Sequence, residues 1–191
     1  MKIYGTTTSP FVRRVMVVAT ELKEPIELVN TATDAGTKEL EKVSPIRLVP
    51  VAVVDGETLF DSRSIHTWLL ANRGTWGTWD SRENNLVNAI DAALHSILDL
   101  FYLRRDGVAI EGNVYEKRQL DRADAIFEWL GTQVSKGSFT GGFGLPELSL
   151  ICALDWMEFR KAYPIENAAG VESVRTRWRD RPSLVSTRPH T

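Results

Sequence analysis

Cysteine is nearly missing from this chain: 191 residues contain one, Cys152. A lone thiol excludes an intramolecular disulfide and any C-x-x-C redox pair. Set on an apolar stripe between Ile151 and Ala153, it reads as a small core residue. Histidine is almost as scarce. His66, His95 and His190 lie far apart, and none has a His or Cys neighbour at ligand spacing, so no metal is expected. An excess of charge of one sign is absent too. Lys plus Arg (23) nearly cancels Asp plus Glu (25), and a net charge of -2 gives no electrostatic ground for nucleic acid or an anionic membrane as partner. The one local excess of arginine, "RTRWRDRPS", has helix-like spacing and reads as a solvated face. Long apolar runs are also lacking. The longest, "VPVAVV", is far too short to span a bilayer, and the opening "KIYG" reads as a strand rather than a charged n-region followed by an apolar stretch. A cytoplasmic globular protein is the expectation.

What is present suffices for a core: 43% of the residues are apolar, enough for one large domain or two small ones. The first 72 residues alternate strand and helix signals. "KIYG" is a short strand, and Ser9-Pro10 opens a helix whose apolar residues Val12, Val15, Met16, Ala19 and Leu22 recur at three- and four-residue steps. "IELVN" is a second strand and "DAGTKELEKV" a short helix. "VPVAVVD" and "ETLFD" flank Asp55-Gly56, a strong hairpin signal. Asp61-Ser62 then starts a helix with Ile65, Trp68 and Leu69 inward and Gly74 as a stop. The order is β-α-β-α-β-β-α, an α/β unit. Residues 73–81, "RGTWGTWDS", lack periodicity and read as a linker.

Beyond that linker, over 82–191, everything looks helical. Leu86, Ile90, Ala93, Ile97 and Phe101 mark one helix, and Leu120, Ala123, Phe127, Leu130 and Val134 a second. Leu148, Cys152, Trp156 and Phe159 mark a third, and Val171, Val174 and Trp178 a fourth.

Three stretches become informative together: "TSPFVRR" (8–14), "SPIRLVPV" (44–51) and "LFDSRSI" (59–65). Singly each has an ordinary explanation: a serine cap with proline at the first helical position, a proline heading a strand, and a second cap. In order and spacing they resemble the thioredoxin-like N-terminal domain of the glutathione S-transferase superfamily, particularly bacterial members with a catalytic serine. The helical second half and the tail "RPSLVSTRP" resemble the same members, so the likeness covers essentially the whole chain.

That resemblance implies an α/β thioredoxin-like glutathione-binding domain over 1–72, an all-α domain over 82–191, and a homodimer that acts in detoxification with glutathione as cosubstrate and no metal. It assigns Ser9 as the catalytic residue, whose hydroxyl donates a hydrogen bond to the glutathione sulfur. The energetics are consistent with that role. Lowering a thiol pKa from about 8.5 by ~2 units takes about 2.7 kcal/mol of preference for the thiolate. A hydrogen bond to a charged group supplies roughly 1.5–3 kcal/mol and a helix N-terminus about 0.3–1 kcal/mol. In the family the proline matching Pro50 is cis, and the backbone N–H and C=O of the Val49 position pair with the cysteinyl part of glutathione as one more strand would. Asp61 and Ser62 match the acid-serine pair that holds the γ-glutamyl end, Asp61 accepting from the ammonium and Ser62 offering its hydroxyl and amide to the carboxylate.

Where many relatives carry Lys or Gln to bind the glycyl carboxylate, this chain has Leu48, leaving Arg47 or Arg13 to reach that end. Where relatives have a Ser/Thr-x-x-Asp capping box before the core helix, it has Gly144-Leu-Pro-Glu147. The electrophile pocket is expected from Thr7 (with Thr6) and Phe11, together with the helix face bearing His95, Phe101, Tyr102, Arg104 and Arg105. Aromatic and basic groups there suit a flat, partly anionic acceptor. The alternative function is a catalytically silent binding module of the same fold. An omega-like thiol-disulfide reductase is disfavoured, because serine at position 9 cannot form a mixed disulfide.

Overall fold

The computed structural model describes residues 1–77 and 80–190. Two compact units make up the chain: Met1–Trp76 together with Asp180–Thr191, and Gly77–Arg179. Residues 180–190, which the sequence groups with the helices, therefore fold with the α/β unit. Thr78 and Trp79 of the expected linker lie outside the described residues, and Asp80 caps the helix that follows by accepting from the Arg82 and Glu83 amides.

The first unit runs β1 (Lys2–Gly5), α1 (Pro10–Glu21), β2 (Glu27–Asn30), α2 (Asp34–Val43), β3 (Val51–Val54), β4 (Glu57–Phe60) and α3 (Ser62–Asn72). The order read from sequence is the order found. Spatially the strands lie β2-β1-β3-β4, with β1 parallel to β2 and antiparallel to β3, and β3 antiparallel to β4. Asp55 and Gly56 both take positive φ, 49° and 81°, as a two-residue hairpin that matches strand twist demands. Strand period sorts the core. Tyr4 and Val51, paired across the ladder, pack with Leu40 of α2 on one face, while their neighbours Ile3 and Ala52 are fully buried on the other.

Helix α1 buries Val12, Val15, Val17, Val18 and Ala19 and packs against α3. Each such valine, taken out of water, stabilises the unit by about 1.5–3 kcal/mol. The first turn of α1 lies close on β1: a Cβ added to Gly5 would stand 2.3 Å from Val12 Cγ2, so only glycine allows this approach.

The second unit contains α4 (Ser81–Arg105), α5 (Val114–Ser135), α6 (Leu145–Arg160), a 3-10 segment (Ile165–Val171) and α7 (Glu172–Trp178). Val171, expected inside the fourth helix, ends the 3-10 segment instead. Helix α6 is its core: Leu148, Ile151, Cys152, Leu154, Trp156 and Met157 are all buried. Its neighbours include α4 and the 3-10 segment. Gly131 of α5 meets Gly170 so closely that a Cβ on the latter would lie 3.2 Å from the Gly131 Cα. Nearby, Asp124 accepts from the Tyr163 hydroxyl and from Asn167. Burial and that carboxylate push the Tyr163 pKa well up.

Helix α4 is long and apolar enough to cross a membrane by length and composition alone, although no uninterrupted apolar run signals it. More than half of its most apolar stretch is buried, as in a core helix.

A short helix, α8 (Pro182–Ser186), absent from the sequence reading, lies against α1 in the first unit.

Candidate functional site

The sheet brings the three motif-bearing segments to one end. Tyr4, near the end of β1, pairs with Val51 at the start of β3, and Val51 pairs with Phe60 at the end of β4. Thr6–Ser9 leave β1 there, Val49-Pro50 enter β3 there, and Asp61-Ser62 leave β4 there.

Ser9 is the N-cap of α1, with extended φ and ψ of -77° and 125°. Its Oγ accepts from the Val12 amide at 3.3 Å, and its own amide donates to Thr6 C=O at 3.1 Å. Pro10 takes the first helical position, where a missing N–H costs nothing. A cap uses a lone pair of the hydroxyl oxygen. The Ser9 proton is therefore still available to donate, and among the described residues nothing accepts it. The serine is half-buried.

The Val49-Pro50 peptide is cis. Val49 packs against the Tyr4–Leu40–Val51 cluster. Pro50 C=O accepts from the Asp61 amide at 3.2 Å, which joins two of the predicted anchors directly. Asp61 caps α3, its Oδ1 accepting from the Arg63 amide at 2.8 Å. Its φ of 71° with ψ of 145° is a conformation essentially reserved for glycine, at a cost of order 1–3 kcal/mol. Strain of that kind persists only where the surrounding structure over-determines the residue, here through the cap bond to Arg63 and the bond to Pro50 C=O. Ser62, the first residue of α3, is buried.

The glycyl end of the expected ligand is less well provided. Leu48 is 69% exposed and apolar. Arg47 pairs with Glu41 at 3.2 Å. Arg13 is not available at all: it is 1% exposed, and its guanidinium donates to Leu184 C=O (3.1 Å) and Thr187 Oγ1 (3.4 Å) in the C-terminal segment. Nothing in the spacing of "SPFVRR" could have signalled partners more than 170 residues away.

Of the expected pocket residues, Thr7 and Phe11 belong to the first unit, with Arg14 stacked on the Phe11 ring at 5.0 Å. Tyr102 and Arg105 lie exposed on α4 in the second unit. Arg105 covers the Tyr102 ring at 4.7 Å and forms an ion pair with Asp106, whose hydrogen bonds hold the Arg105 pKa above its usual value while its own is lowered. Phe101 packs edge-on against both Tyr102 and the buried Trp156. A groove of about 580 Å³ lined by Asp80, Arg82, Trp129, Gln133 and Lys136 contains none of the predicted residues. Among the described residues no group of three or more His, Cys, Asp or Glu side chains could hold a metal.

Residues 3–77 match the family model described as "Glutathione S-transferase, N-terminal domain". An uncharacterized GST-like protein of Escherichia coli (strain K12), YibF, is 26% identical over 172 residues, covering 86% of this chain and 85% of its own. A glutathione transferase family member from Pseudomonas fluorescens Pf-5, solved with bound glutathione, has a TM-score of 0.84 at 21% identity over 100% of this chain and 99% of that one. A glutathione S-transferase from Methylobacillus flagellatus KT with GSH bound has a TM-score of 0.81 at 20% identity over 99% of each chain. The fold is that of the glutathione S-transferases, a thioredoxin-like α/β region followed by an all-helical one.

Proposed function

We propose that this protein is a glutathione transferase of the serine type. The Ser9 hydroxyl donates to the sulfur of bound glutathione and favours its anion, the thiol proton passing to solvent. The thiolate then attacks an electrophilic carbon of a small molecule and forms an S–C bond, while either the π bond of an activated alkene breaks and its other carbon takes a proton from solvent, or a leaving group departs with its electron pair. The observation that carries this reading is the state of Ser9: capped onto α1 through its oxygen, it keeps a proton to donate at the sheet end where Pro50 and Asp61 are tied together. Val49, Pro50, Asp61 and Ser62 would hold the tripeptide. Thr7 and Phe11 of the first unit would face the electrophile. The decisive test is turnover of a generic aryl halide by the wild type and Ser9→Ala. Equal rates would remove Ser9 from the mechanism.

A specific observation favours a second reading, a glutathione-transferase-like module that binds without turning over. Leu48 is exposed and apolar and Arg47 pairs with Glu41, so the position that would meet the glycyl carboxylate offers no polar side chain of its own. Retention on immobilised glutathione separates the two, because a site degraded at that end flows through. A homodimer belongs to the main proposal. Ile46 and Leu48 are both exposed, a second copy would cover them, and sedimentation velocity tests it.

A further inference from the structure

The C-terminal segment holds α1 at two places. At the last residue of the helix, the Glu21 carboxylate accepts two bonds from Arg181, both 2.7 Å, and a third from the Ser183 hydroxyl. That clasp lowers the Glu21 pKa and raises that of Arg181. Near the other end, the buried Arg13 guanidinium takes Leu184 C=O and Thr187 Oγ1, and Thr187 in turn donates to Ser183 C=O at 2.7 Å. The backbone N–H of the same Arg13 donates to Ser9 C=O at 3.0 Å. One residue thus links the segment to the cap.

Eight residues separate the two holds, about 12 Å along the axis. Two points fixed that far apart resist both sliding of the helix and rotation about its axis. Rotation is what would matter for Ser9, since a turn of roughly 20° carries a side-chain oxygen about 1 Å sideways, and hydrogen bonds weaken steeply with such misalignment.

We propose that residues 181–187 are a strap that sets the Ser9 hydroxyl against the glutathione sulfur, with Arg13 as the positioning residue through which it acts. The inference rests on the transferase reading above. Loosening the strap raises the pKa of the bound thiol without removing any group that touches it.

The test is the pH profile of aryl halide conjugation, measured for the wild type, Ser9→Ala, and a combined variant Thr187→Val/Glu21→Gln/Arg181→Gln. That variant leaves Arg13 in place and the net charge unchanged, so a shift reports geometry rather than a lost cation. Thr187→Val alone serves if the triple variant does not fold, with a smaller shift of the same sign. The expected result is an acid limb displaced upward by about one pH unit in the triple variant, so that the rate below it falls about tenfold and recovers at high pH. KM for glutathione stays within about twofold. A merely structural role would scale the whole profile down without moving its limb. If Ser9→Ala loses rate while the strap variants keep the wild-type limb, the strap inference is overturned and the transferase reading stands. If Ser9→Ala turns over like the wild type, both fall.

Discussion

Helices α1 and α6 start alike and end up differently. Each has a proline in its first turn, Pro10 and Pro146, and each is a largely buried element of its unit. At α1 the cap is a hydroxyl, which satisfies one amide and retains a proton. At α6 the cap is Gly144, which has no side chain to offer. The amino end is instead closed by Glu147, whose buried carboxylate accepts from the Gly144 amide at 3.0 Å. One helix terminus is completed yet can still donate to a ligand; the other is plugged by its own chain. A similar cap-proline signature therefore does not define a binding site. What distinguishes the two is whether the capping group has a donor left over.

The comparison can be broken or sharpened by exchange of these groups. The largest effect is expected for Ser9→Asp. Aspartate caps as well as serine, so stability should hold within about 0.5 kcal/mol, whereas a carboxylate cannot donate to a thiolate and repels it. Conjugation by this variant should fall by about a hundredfold or more while urea denaturation stays near wild type. A fall in stability of the size of the activity loss would show that the serine is a cap and nothing else.

Next comes Glu147→Ala, which strands the buried Gly144 amide and should cost about 1–3 kcal/mol in urea denaturation with little change in glutathione binding.

The pH dependence of Glu147 gives a subtler contrast. Burial raises its pKa above the ordinary carboxyl value. Its folded form then holds the proton more tightly than the unfolded form does. The stability it contributes is fully present below the unfolded pKa and is lost as pH rises through the raised native one. Relative to Glu147→Gln, which keeps an acceptor and has no titration, the wild type should gain stability between neutral pH and about pH 4.

The smallest effect is expected for Gly144→Ser. The extended backbone there suits any residue, and a hydroxyl cap should add a few tenths of a kcal/mol, measured as a slight rise in Tm. The new Cβ would sit 3.3 Å from a Glu147 carboxylate oxygen, so the side chain must yield slightly.

Much of the fold was legible because local chemistry and global structure agree. "KIYG" became β1, Asp55-Gly56 the hairpin, "DAGTKELEKV" α2, and Asp61 the cap of α3, each signalled within a few residues of itself. The contacts that were not legible join residues far apart in the chain. Arg13 looked like a candidate ligand for a carboxylate and is a buried partner of Thr187. The tail looked like more of the helical half and folds on α1. No periodicity encodes a guanidinium that finds its carbonyl 171 residues later. The candidate site lies between these extremes. Motif spacing singled out its candidate anchors, and strand order explains why Ser9, Pro50 and Asp61 issue from one end of the sheet.

The bond from the Asp61 amide to the Pro50 carbonyl has a consequence for anything that lies along this edge. It yokes the entry to β3 and the exit from β4, so neither can shift alone. A guest that touches both stretches would find their spacing already settled when the chain folded, and would surrender little of its binding to ordering its host.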